Sequence, residues 1–159
     1  MDKTSLIMEF ISIKKRKLQL SVSVKEKLSI CIRLICLFLF AYTAYAKIVN
    51  HDRFFNGLNR VHMIRGIAGY ISYAVPIVEI LTSLLLIIPK TGKIGLYVFT
   101  GVMILFTLYI IGALLLEPNL PCQCGGAIEK LTWMQHIWFN VGFIFIAIWA
   151  IRINKHLSS

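Results

Sequence analysis

Apolar residues in this chain come in long blocks parted by short polar joints, not at the alternating spacing of a half-buried strand. A helix needs ~20 mostly apolar residues to cross a bilayer. Four blocks fit that length: residues 28–46, 70–88, 94–116 and 133–151. The first is interrupted by Arg33, and the second carries Pro76 and a single acid, Glu79. The third has no charge, and the fourth holds only Gln135, His136 and Asn140 as strongly polar members. Pro89 and Gly92 keep the joint between the second and third blocks short, which predicts an antiparallel hairpin. Glu117, Pro118, Asn119 and Pro121 stop the third. Thr132 followed by Gln135 predicts a capping box at the start of the fourth, with Trp133 and Trp138 suited to the headgroup belt. The expected fold is an all-α integral membrane four-helix bundle.

Composition agrees. The chain is 58% hydrophobic and 15% charged, against about 45–50% and 25% in ordinary soluble domains. Its net charge of +10 would suggest nucleic acid in a soluble protein. In a membrane chain the same excess sets orientation, so no nucleic-acid partner is expected. With the N-terminus inside, eleven basic residues face the cytoplasm, seven of them in residues 1–27, and five face outward. Both termini are therefore expected in the cytoplasm, in the inner membrane of a bacterium. Ala44-Tyr45-Ala46 has the form of a signal-peptide cleavage site, but the basic region before it is long and Arg33 breaks the apolar part, so the first span is read as retained.

Three segments lie outside the spans. Residues 1–27 read as a basic tail on anionic inner-leaflet lipid, with a short strand-like alternation at Leu18, Leu20, Val22 and Val24. Residues 152–159 form a short cytoplasmic tail. In residues 50–69, Phe54, Leu58 and Val61 recur at helical spacing beside Arg53 and Arg60, which predicts an interfacial helix between spans one and two.

The sharpest chemical feature is Cys122-Gln123-Cys124-Gly125-Gly126, expected on the outer, oxidising face. Cysteines separated by one residue bond only in a strained small ring, and strained, exposed disulfides exchange readily. The alternatives are two unreactive thiols in a turn, or half of a metal site that lacks further soft ligands, since only His136 is near in sequence. Cys31 and Cys36, within span one, point in different directions and read as small buried hydrophobes. Glu79 lies deep in a span, where an ionisable group normally faces the bundle interior with a partner. Two readings stand: an ion pair with Arg33 that locks spans one and two, or a proton-handling acid. Lys47 is expected to snorkel to the outer interface. His136 and Asn140 share a helix face near the cysteine segment. His136 would favour a thiolate or accept its proton, or serve the interface alone; Asn140 reads as interhelical glue.

These residues together resemble the MauE branch of the DoxX-like superfamily, small four-helix membrane proteins associated with methylamine utilisation and redox processes. The matching features are Arg33, Lys47, Asp52 and Phe54, then Pro76 to Glu79, the Cys122-to-Gly126 run, and Asn140. The chain departs from the family pattern at Gly125, where phenylalanine is common, and at Ala44-Tyr45-Ala46-Lys47, where a Ser-Gly-x-x-Lys pattern is usual. The resemblance implies help in maturing, or supplying electrons to, disulfide-containing periplasmic proteins, alongside a thioredoxin-like partner. It makes Cys122 and Cys124 the expected catalytic pair, supported by His136, Glu79, Arg33 and Asn140. No cofactor motif is present. A quinone is the candidate oxidant, with a site near Cys124, Trp133 and His136. Two other classes remain: a non-catalytic membrane subunit or scaffold of a redox complex, and a small-molecule carrier using Glu79, which the lack of an internal repeat disfavours.

Overall fold

The computed structural model describes residues 3–116 and 132–157, with side chains from residue 23 onward except at 133 and 155–157. The elements in chain order are α1 (Lys3–Val49), α2 (His51–Asn59), a 3-10 turn (Arg65–Ile67), α3 (Ala68–Ile87), α4 (Gly92–Leu116) and α5 (Trp133–Leu157). Among the described residues four helices, α1, α3, α4 and α5, are long and apolar enough to cross a membrane. They pack in a ring in which α1 touches α3 and α5, and α4 touches the same two. With the intervening connections, neighbours in the ring run antiparallel. The chain is an all-α, multi-pass membrane bundle.

The distribution of polarity explains why a bilayer suits it. Along the spans many large apolar side chains face outward, among them Phe38, Tyr70 and Leu115 at 71%, 82% and 78% exposure. The interior carries the polar groups: Ser29, Thr43, Lys47, Ser72, Glu79, Thr82, Thr100, Thr107, His136 and Asn140 are all buried. Hydrocarbon cannot satisfy such groups, so they must find partners inside. Several hydroxyls do so on their own helix, as when Thr82 donates to the Val78 carbonyl (2.7 Å), Thr100 to Leu96 (2.8 Å) and Thr107 to Met103 (2.7 Å).

Along α1 and α2 the structure adds detail to the sequence reading. The alternation at residues 18–24 does not make a strand; it lies within α1, which runs unbroken from Lys3 to Val49. No glycine or proline occurs in that stretch, and the charged run at Lys25, Glu26 and Lys27 consists of good helix formers. Nothing local stops the helix. Residues 51–59 do form a helix, but Phe54 and Leu58 turn onto the bundle, packing with Ala68, Ile71 and Val75 of α3 and Tyr109 of α4. Its apolar face is covered by protein.

The α3–α4 joint is built around Arg33. Its Nε and Nη2 donate to the Leu86 carbonyl (3.2 and 2.6 Å), and Nη2 also reaches the Ile88 carbonyl (3.1 Å). The Thr91 hydroxyl donates to Leu85 at 3.0 Å. The last carbonyls of a helix lack intrahelical partners and carry partial negative charge, so a guanidinium here both satisfies and complements them. Gly92 lies against that guanidinium so closely that a Cβ would overlap it, and a Cβ on Gly95 would meet the Leu86 backbone at 2.9 Å. Beyond the joint, Ile32, Cys36, Phe40, Leu86, Leu96 and Phe99 form the main core, with the Phe40 and Phe99 rings 4.4 Å apart.

Candidate functional site

At the other end of the bundle, the packing opens into a cavity of about 230 Å³. All five α-helices line it. Aromatic and aliphatic walls come from Phe40, Phe54, Leu58, Val75, Phe106 and Phe139. Polar groups come from four of the helices: Thr43 and Lys47 on α1, Glu79 on α3, Tyr109 on α4, and His136 and Asn140 on α5.

Lys47 and Glu79 form a buried ion pair, Nζ to Oε1 at 2.7 Å, with side-chain exposures of 9% and 1%. The Thr43 hydroxyl donates to the same Oε1 at 3.2 Å. The Lys47 ammonium also sits 5.7 Å from the centroids of the Phe54 and Phe106 rings, within reach of cation–π attraction. Glu79 Oε2 is buried and has no hydrogen-bond partner among the described residues. Pairing within low-dielectric surroundings offsets the cost of taking two charges out of water, and the additional hydroxyl and ring contacts help to hold that geometry.

Local sequence positions each member. On α1, Cys36, Phe40, Thr43 and Lys47 follow one another at spacings of a helical turn, and all four are buried. Lys47 therefore continues the inward face. Pro76 precedes Glu79 on α3; it removes a backbone donor, so the Ser72 carbonyl receives no i+4 bond there. The capping box predicted for α5 forms: the Thr132 amide donates to Gln135 Oε1 at 2.9 Å, and the Gln135 amide to Thr132 Oγ1 at 3.4 Å. That start fixes the turns that place His136 and Asn140, one above the other, on the cavity wall.

The sequence-derived site residues thus divide. Glu79, His136 and Asn140 line one cavity. Arg33 does not pair with Glu79, as one expectation had it; it belongs to the α3–α4 joint at the opposite end of the bundle. Lys47 does not snorkel outward, because its ammonium is drawn inward to Glu79. Cys36 is buried, whereas Cys31 is exposed on the outside of α1 rather than buried. Cys122 and Cys124 lie outside the described residues. Lys47 and Thr43 are the members that sequence reasoning missed, and their turn-by-turn spacing after Phe40 was the available signal.

Chemically, the cavity offers a neutralised charge pair within an apolar, aromatic enclosure. It suits a neutral guest with hydrogen-bonding groups more than an ion, since the paired charges nearly cancel and an ion would give up its hydration in an apolar enclosure. Among known families, the one described as Methylamine utilisation protein MauE matches residues 25–153 of the chain. That stretch takes in every residue that lines the cavity. No curated protein and no solved structure matches the chain.

Proposed function

This chain belongs to the MauE family of methylamine utilisation proteins, and from that premise we propose that it exchanges thiols and disulfides with a periplasmic protein through Cys122 and Cys124. In this reading it sits in the bacterial inner membrane with both termini cytoplasmic, and its partner is a thioredoxin-like or disulfide-containing protein. The observation that carries the reading is the place of the Cys-x-Cys run. It falls between Leu116, the end of α4, and Trp133, the start of α5, the two helices that bring Tyr109, His136 and Asn140 to the cavity. A redox-active pair in that connection is joined in sequence to the two helices that carry these polar cavity residues.

The exchange balances without any further reagent. One cysteine thiolate attacks a sulfur of the partner's disulfide, releasing the partner's second sulfur as a thiolate and forming a mixed disulfide. The other cysteine then displaces the partner, which leaves with two thiols, while Cys122 and Cys124 become a disulfide. Run backwards, the same steps oxidise the partner. Trapping tests this: Cys122→Ser and Cys124→Ser single variants, expressed in the native host, are separated on non-reducing gels. A defined adduct with one variant and not the other assigns the attacking and resolving cysteines. No adduct with either, in well-inserted protein whose remaining thiol is accessible from outside, sinks the proposal in favour of a non-catalytic subunit.

A further inference from the structure

The cavity itself asks for an occupant. An apolar hole of about 150 Å³ already takes a benzene-sized ring, and this one, at about 230 Å³, has room for a substituted ring. Its walls include the rings of Phe40, Phe54, Phe106 and Phe139, and aromatic walls favour a ring as guest. It also reaches Leu105, which is 65% exposed on the outer side of α4, so it opens at the apolar surface of the bundle rather than being sealed. A guest arriving that way is soluble in the bilayer.

Polar groups narrow the choice further. Lys47 carries three N–H donors and spends one on Glu79 Oε1, while Asn140 adds an amide to the same cavity. Both suit a carbonyl oxygen. Glu79 Oε2, buried and without a partner among the described residues, can only accept, and so suits a hydroxyl. One site therefore provides for a ring carbonyl and for the same oxygen once it bears a hydrogen. The paired charges cancel, which disfavours anionic or cationic guests. We infer that this cavity, with Lys47, Glu79 and Asn140 as its polar contacts, binds the neutral headgroup of a quinone and of its quinol. The inference concerns binding alone and goes beyond the exchange chemistry proposed for Cys122 and Cys124. It also moves the site anticipated near Trp133 deeper into the bundle.

The test uses the full chain in detergent micelles or nanodiscs, titrated with duroquinone and, as a control, with durene, the same methylated ring without carbonyls. Binding is read by calorimetry and by protection against thermal unfolding. Saturable binding of duroquinone is expected, with durene weaker by roughly tenfold, about the worth of one good hydrogen bond. Val75→Phe fills the cavity from its apolar wall and is expected to abolish binding. Asn140→Leu is expected to weaken duroquinone and leave durene unchanged. The double variant Cys122→Ser, Cys124→Ser is expected to bind as the parent does, which separates this inference from the thiol reading. Equal affinity for the two rings, undiminished binding by a folded Val75→Phe variant, or no saturable binding to the parent chain would overturn it. Because Val75→Phe and the durene control leave every polar group in place, the outcome does not depend on variants of the buried ion pair folding.

Discussion

The two ends of the bundle each receive one basic side chain from α1, and they use it differently. At the α3–α4 joint, Arg33 spends its donors on the Leu86 and Ile88 carbonyls, and Gly92 presses against it with no room for a side chain. At the other end, Lys47 meets a carboxylate beside a cavity, with only one oxygen of Glu79 engaged by described partners. The first end is closed by backbone, whose acceptors are always present and never change charge. The second is closed by side chains, whose pairing can be altered by substitution or by a guest. A cation within a span thus marks structure where it caps a helix and marks a candidate site where it faces space.

The sharpest way to break this contrast is to remove one half of the pair. Lys47→Met leaves the Glu79 carboxylate buried alone, and a loss of about 3–5 kcal/mol is expected in denaturant unfolding in micelles. Adding Glu79→Leu should recover most of it, because an apolar pair of similar volume is close to neutral in such a place. A single variant as stable as the parent would show that the pair does not hold α1 to α3.

At the joint the expected losses are smaller. Gly92→Val forces the Arg33 guanidinium out of its place, at about 1–3 kcal/mol. Arg33→Ala frees that space but strands the α3 carbonyls, at about 1–2 kcal/mol given its partial exposure. The two changes touch the same contact, so their combination should cost less than their sum in a double-mutant cycle. Strict additivity would contradict the packing described. The smallest effect belongs to Thr132→Ala, which removes one side of the α5 capping box at about 1 kcal/mol. It should be visible as a modest drop in melting temperature, without change at the α3–α4 joint.

How far the sequence foretold this depends on the kind of information each feature needs. The four spans were legible because uniform apolar runs require no knowledge of neighbours. The α5 start was legible because Thr132 and Gln135 satisfy orphan amides locally. The pairing of Glu79 was not, because it depends on register between helices. Aligning residues 28–46 against 70–88 sets Glu79 opposite Leu37, one turn from Arg33. The helix in fact continues to Val49 and α3 begins at Ala68, so the contacts run from Thr43 and Lys47 to Glu79 and from Arg33 to Leu86. A small error in helix ends thus chose the wrong cation. The length of α1 is hidden in the sequence for a related reason: charged residues end a span without ending a helix.

That unbroken first helix also sets a length scale. At 1.5 Å per residue its 47 residues extend about 70 Å, more than twice the ~30 Å hydrocarbon core. The apolar block of its span begins only at residue 28, which leaves about 40 Å of helix before it. Measured along its axis, α1 is a mast stepped in the bundle: its first turns stand a protein's width from the ring of helices, on the side away from Lys47.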